Sequence, residues 1–134
     1  MSDLLIEFLG GSKVGQQIYI DAEDLAGLES FLQRLRHEEP IFVNIVLRQG
    51  NELTVGIGAT RSCVQYSGKD HEPPYLLAQE TTPLAEDLEI EFDAGGTATP
   101  ILISQTLPSA RAIELILEII STETLPSSVD WIEI

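Results

Sequence analysis

The spacing of apolar residues along the chain changes several times, and each spacing predicts a different element. Short segments of alternating or continuous apolar residues, bounded by glycine, proline or polar turns, are typical of β-strands. The segment 41–46 is apolar on both faces, which indicates a central strand. The predicted strand segments are 4–11, 16–20, the two arms of 41–58, 62–67, 75–79, the two arms of 88–104 and 128–134.

One segment near the N-terminus repeats its apolar residues at helical spacing and predicts a first helix over about 22–37. Asp21 is the expected N-cap, because its side chain suits the unpaired N–H groups of a first turn. Asp24 would then lie near the positive end of the helix dipole. Pro40 is expected to end the segment.

A second helical pattern covers 107–126, where Pro108 suits the first helical position and Pro126 prevents continuation. Its apolar side is wide, which predicts firm packing on a sheet. The residues of this side are Ile113, Leu115, Ile116, Leu117, Ile119 and Ile120.

Together these elements predict a single α+β domain over residues 1–134. The sheet is expected to be antiparallel or mixed, with about six to eight strands, and two α-helices are expected to pack on one of its faces. A chain of 134 residues is long enough to bury its core without a disulfide or a structural metal.

Several features of the sequence favour a cytoplasmic protein. The first residues lack the basic region and long apolar core of a secretory signal. No apolar run approaches the roughly 20 residues that a membrane span needs. The single cysteine, Cys63, excludes an intramolecular disulfide and suits a reducing compartment.

Acidic charge is concentrated in the second half of the chain. The whole chain has 22 acidic and 7 basic residues, a net charge of −15. Residues 1–69 contain 9 acidic and 6 basic residues (−3), whereas residues 70–134 contain 13 and 1 (−12). A nucleic-acid partner is not expected, because phosphate contacts need cations. The charge favours a basic protein partner, with solubility alone as the alternative.

Constellations of catalytic residues are scarce. Cys63 lies in an apolar run, which favours a small buried residue, although a neighbouring Arg61 would lower the pKa of its thiol. Asp70, His71 and Glu72 are consecutive and so point in different directions, which argues against a metal site. We therefore expect no enzymatic activity, no cofactor, no metal and no small-molecule ligand.

The segment 70–93 holds 8 carboxylates and no Lys or Arg. It joins a loop containing two prolines and a tyrosine to a strand whose outer face carries Glu89, Glu91 and Asp93. A tyrosine beside charged residues is typical of protein interfaces. The predicted partner-binding residues are Asp70, Glu72, Tyr75, Glu86, Asp87, Glu89 and Glu91.

Several short motifs follow one another in order over about residues 40–134. "LTVGIG" (53–58) precedes "SCVQYS" (62–67) and an acidic, glycine-turned strand pair, "IEFDAGGTATPI" (90–101). A helix start of the form "LP…A" (107–110) and the tail "LPSSVDW" (125–131) complete the run. This order resembles the first-numbered immunity-protein family of bacterial polymorphic toxin systems.

The resemblance implies an antitoxin that binds a cognate toxin domain, often a nucleic-acid deaminase, and blocks it. Covering the mouth of the pocket that admits an extruded base would be enough to stop such an enzyme. Two alternatives stay open: an acidic adaptor or chaperone for a basic protein that is not a toxin, and a small enzyme using Cys63 or the loop 70–72. The oligomeric state is also open.

The C-terminal segment contains the only tryptophan of the chain. Pro126 stops the second helix, and Val129 and Trp131 then share one side of the predicted last strand. We expect Trp131 to anchor this strand in the core rather than to contact a partner.

Overall fold

The fold is built on one large, mostly antiparallel β-sheet with two helices. The computed structural model describes residues 3–38, 40–80 and 88–134. This confirms the predicted α+β class, with slightly more strands than expected. The helices are α1 (Leu25–Arg36) and α2 (Ser109–Thr122), and the ten strands in the described residues are β1 (Asp3–Phe8), β2 (Gln17–Asp21), β3 (Ile41–Val46), β4 (Glu52–Ile57), β5 (Arg61–Ser67), β6 (Leu76–Gln79), β7 (Glu89–Ala94), β8 (Thr97–Leu102), β9 (Leu107–Pro108) and β10 (Asp130–Glu133).

The main path of the sheet runs in the order β10-β6-β5-β4-β3-β1-β2. Strands β7 and β8 form an antiparallel hairpin, called here the acidic hairpin, and the short β9 pairs with β5. The hairpin joins the sheet through one parallel bridge between Asp93 and Ile41. This bridge places the hairpin beside the first residue of β3, about fifty residues earlier in the sequence.

One face of the sheet is apolar and packs against both helices. Across the strands, Phe8, Val43, Val55, Val64 and Ala78 lie at matching positions, and all five are buried. They belong to a single core cluster that includes the buried sides of both helices. The helical members include Leu28, Phe31, Leu32, Leu35, Ala112, Ile113, Leu115, Ile116, Ile119 and Ile120.

Helix α1 begins at Leu25, three residues later than predicted. Asp24 is the N-cap, and its carboxylate accepts a hydrogen bond from the N–H of Gly27 at 3.0 Å. Asp21 is instead the last residue of β2, where it lies opposite Asp3 in the sheet. The prediction of Asp21 as the cap was wrong. Positions 21 and 24 both carry an aspartate, and strand pairing extends through Asp21.

Helix α2 begins at Ser109, so Pro108 precedes the helix instead of occupying its first position. The hydroxyl of Ser109 is buried, donates to the carbonyl of Gly58 at 2.6 Å and lies 2.7 Å from the hydroxyl of Ser62. These bonds fix the start of the helix to the turn between β4 and β5. Within the described residues, neither helix is long and apolar enough to cross a membrane.

The predicted last strand is confirmed as β10, which pairs antiparallel with β6 at one edge of the sheet. Val129 is buried, and Trp131 is partly buried and packs against the core. The indole N–H of Trp131 donates to the carbonyl of Pro126 at 2.9 Å. The ring thereby ties the strand to the turn that follows α2.

The second face of the sheet, called here the open face, carries polar residues at its centre. Glu7, Asn44, Thr54 and Gln65 lie at matching positions in β1, β3, β4 and β5. The acidic hairpin packs over one end of this face, and the loop 68–75, called here the acidic loop, packs over the other. The elements that carry the described partner-binding candidates therefore both lie on the side away from the helices.

Candidate partner-binding surface

The acidic loop places Asp70, Glu72 and Tyr75 beside the start of β4. A single 3₁₀ turn covers Lys69–His71, and Asp70 and Glu72 are exposed. Asp70 and His71 have left-handed backbone angles, with φ of 59° and 60°. Such a conformation is unfavourable for residues other than glycine, so surrounding contacts must hold it.

Those contacts centre on the carboxylate of Glu52, which is only 5% exposed. The backbone N–H of His71 donates to Glu52 Oε2 at 2.9 Å, and Nε2 of the same residue lies 3.2 Å from Oε1. The hydroxyl of Tyr75 donates to the carbonyl of His71 at 2.7 Å. Glu52 thus fixes the loop to the sheet, and the loop in turn fixes the ring of Tyr75.

The acidic hairpin places Glu89 and Glu91 at the other end of β4. Both are exposed, while Phe92 on the inner side is fully buried against Phe42, with ring centroids 5.4 Å apart. Asp93 does not extend the free acidic stripe as expected, because its carboxylate accepts a hydrogen bond from the N–H of Gly11 at 2.7 Å. The hairpin therefore offers two free carboxylates in its described part.

The five described candidates therefore form two groups rather than one continuous stripe. The acidic loop is held at Glu52, and the hairpin is held over Gly56, four residues further along the same strand. At about 3.3 Å per residue, these anchor points are roughly 13 Å apart. The remaining candidates, Glu86 and Asp87, lie outside the described residues.

A buried polar network between the two groups was missed by the sequence analysis. The side-chain amide of Asn44 donates to Glu52 at 2.7 Å and to Glu7 at 3.1 Å, and it accepts from Thr54 at 3.1 Å. Asn44 is 2% exposed and sits in a strand that otherwise reads as apolar on both faces. That single polar residue in an apolar run was the available signal.

Few of the described carboxylates are neutralised by cations. Within the described residues the ion pairs are Arg48 with Glu123, Arg61 with Glu80, and His71 with Glu52 when the imidazole is protonated. The other described carboxylates lack a cation within ion-pair distance. The surface therefore carries a strong negative field that repels phosphate and attracts basic proteins.

No model of a known protein family matches this chain, and no curated protein matches it. The chemistry available to the surface follows from its residues: exposed carboxylates, one held tyrosine ring and a polar floor. Groups of three or more His, Cys, Asp or Glu side chains suited to a metal do not occur in residues 3–38, 40–80 and 88–134. The arrangement can bind a basic surface by charge and by aromatic contact.

Cys63 lies on the side of β5 that belongs to the open face, and its side chain is 0% exposed. Burial raises the pKa of its thiol from 9.0 to about 11, partly offset by a weak hydrogen bond from Gln65. The guanidinium of Arg61 instead bonds to Glu80 and to Thr106. The thiol is therefore protonated at neutral pH, which disfavours its use as a nucleophile.

We expect Cys63 to resist iodoacetamide in the folded protein at pH 8. The raised pKa alone lowers the thiolate fraction about 100-fold, and burial blocks access further. The measurement is the labelling rate by mass spectrometry in buffer and in urea. Folded-state labelling within tenfold of the rate in urea would show an accessible thiol.

The same pKa shift predicts a pH dependence of stability. The raised folded-state pKa contributes to the free energy of unfolding. This contribution is fully present below pH 9 and is lost as the pH rises through about 11. Its total is about 2–3 kcal/mol. The difference in unfolding free energy between the protein and the variant Cys63→Ala should therefore shrink over that window.

Proposed function

We propose that this chain is an immunity protein that binds a cognate basic toxin domain and neutralises it by covering the substrate cleft. The proposed toxin is a nucleic-acid deaminase. One observation carries the proposal: residues 70–134 have a net charge of −12, and the ion pairs of the described residues neutralise few of those carboxylates. The order of short motifs in the sequence supports the same function.

The physical basis is competition for a cationic cleft. An enzyme that acts on nucleic acid must attract phosphate, so its substrate cleft is positively charged. A strongly acidic protein is steered to the same cleft and associates fast. A deaminase must also draw a base into a pocket, so a protein seated over the mouth prevents turnover without any chemistry of its own.

The test uses any deaminase-type domain that a neighbouring gene is found to encode. We expect one equivalent of the chain to abolish deamination of a single-stranded oligonucleotide, and co-expression to restore growth to cells producing the domain. Binding without inhibition would favour the adaptor or chaperone alternative. If no neighbouring gene encodes a toxin, and co-expression protects against none, the proposal fails.

Charge reversal with a matched control tests the part played by the candidate surface. The double variant Glu89→Lys/Glu91→Lys changes the net charge as much as Glu23→Lys/Glu29→Lys, whose residues are exposed on the helical side. The hairpin variant should slow association about tenfold at low salt, and the control far less. High salt should remove the difference, because it screens exposed charges. Equal effects of the two variants would exclude the hairpin from the contact.

A further inference from the structure

An apolar cluster lies on the open face at the edge formed by β6 and β10. Ile132 lies directly opposite Leu77 in the antiparallel register, and the N–H of Ile134 donates to the carbonyl of Tyr75 at 2.9 Å. Leu77 in turn lies opposite Gln65, which belongs to the open face. Tyr75, Ile132 and Ile134 therefore point away from the helices, and together they are called here the edge patch.

The edge patch is exposed where a solvated strand would carry polar side chains. Tyr75 is 43%, Ile132 41% and Ile134 57% exposed. An antiparallel sheet with one face in water normally alternates apolar inside with polar outside. The inner strands follow this rule at Thr54 and Gln65, but the outer side of β10 departs from it at Ile132, as does Ile134 directly after the strand. A contiguous exposed apolar cluster with a polar rim is typical of an interaction site.

Carboxylates surround this patch. Asp70 and Glu72 are exposed in the acidic loop beside Tyr75, and Asp130 lies two residues before Ile132 on the same side of β10. None of the three takes part in an ion pair among the described residues. A second copy of the chain docked here would bring like charges together, which is unfavourable.

The ring of Tyr75 is held in place before any partner arrives. Its hydroxyl bonds to the carbonyl of His71, and His71 is fixed by the buried carboxylate of Glu52. A side chain that is already ordered loses less conformational entropy on binding. Tyrosine in such a position is typical of the residues that dominate interface energies.

We propose that the edge patch is the centre of the surface on which a basic protein partner docks, with an apolar side chain flanked by Lys or Arg. This inference rests on the proposed function and assigns its central contact to Tyr75, Ile132 and Ile134 rather than to the acidic hairpin. The apolar contact holds the complex together, and the surrounding carboxylates set the rate of encounter.

The experiment measures binding of the same deaminase-type domain to Tyr75→Ala and to Ile132→Ala. The matched control is Tyr19→Ala, since Tyr19 is 68% exposed on β2 at the opposite edge of the sheet. We expect each patch variant to weaken binding at least about 30-fold, through faster dissociation that persists at high salt. The control should stay within about twofold of the unmodified chain.

The outcomes distinguish failure of the inference from failure of the proposed function. If the unmodified chain does not bind the domain, both are overturned. If it binds and inhibits while the patch variants match it, only the edge patch is excluded. A dimer that Ile132→Ala dissociates in sedimentation would show that a second copy covers the patch. Unchanged circular dichroism and Trp131 fluorescence would show that a variant that loses binding is still folded. Tyr75→Phe is a milder variant that keeps the ring and removes only the hydroxyl.

Discussion

Replacing Phe92 by alanine is expected to lower the free energy of unfolding by about 3–5 kcal/mol. The ring is fully buried although it belongs to a two-stranded hairpin outside the main path of the sheet. It packs against Phe42 and lies over Gly56 and Gly58, where no side chain intervenes. It is therefore the main apolar contact that holds the acidic hairpin on the open face.

The measurement is urea unfolding followed by circular dichroism and by fluorescence of Trp131. Trp131 packs against the core on the helical side of the sheet, so its signal reports the core and not the hairpin. Coincident transitions shifted to lower urea would show that the hairpin and the core unfold together. An unchanged Trp131 transition with rapid proteolysis at 89–102 would show that the hairpin opens alone.

The variant Phe92→Leu is the matched control, because it keeps an apolar side chain at the same position. We expect it to cost less than Phe92→Ala and to keep the hairpin resistant to protease. If the alanine variant changes neither the unfolding transition nor the proteolysis pattern, the ring does not hold the hairpin. The binding assay would then have to treat Glu89 and Glu91 as part of a mobile element.

Most of the secondary structure could be predicted from local sequence patterns, because helices and strands depend largely on neighbouring residues. The alternation in 88–92 predicted that Phe92 turns inward, and the helical repeat in 107–126 predicted the buried side of α2. The face of the sheet that receives Phe92 depends instead on the pairing of Asp93 with Ile41, about fifty residues away. Periodicity carries no information on such a pairing.

The candidate surface likewise combines features that local patterns predict with features that depend on strand pairing. Tyr75 was predicted as a partner-binding residue from its place in a charged loop. The alternation in 128–134 puts Ile132 and Ile134 on the other side of the strand from Trp131. Their meeting in one patch requires the register between β6 and β10, which the sequence pattern does not determine. The burial of Glu52 was also missed, because a carboxylate at the start of a strand next to a turn normally reads as solvated.

Gly10 shows how a turn signal can conceal a tertiary contact. The pair Gly10–Gly11 closes the predicted strand segment 4–11, as a turn signal would, and Gly11 does have a positive φ of 78°. At Gly10 the constraint is different, because the backbone of Asp93 passes directly over the α-carbon. A β-carbon there would overlap the carbonyl oxygen of Asp93 and lie 2.6 Å from its carbonyl carbon.

The variant Gly10→Ala is therefore expected to lower the free energy of unfolding by about 3 kcal/mol, at the upper end for an added methyl group. The overlap is with backbone, so a change of rotamer cannot relieve it. The hairpin must move away from the sheet, which also breaks the hydrogen bond from Gly11 to Asp93. Urea unfolding and proteolysis at 89–102 measure the two effects.

Two further variants separate this steric effect from ordinary loop changes. Ser12→Ala alters an exposed residue of the same loop and should change stability by less than about 0.5 kcal/mol. Asp93→Ala removes only the carboxylate bonded to Gly11 and should cost about 1 kcal/mol. Because the overlap involves the carbonyl of Asp93, the double variant Gly10→Ala/Asp93→Ala should be no more stable than Gly10→Ala. Recovery of stability in the double variant would mean that the side chain, and not the backbone, limits the space at Gly10.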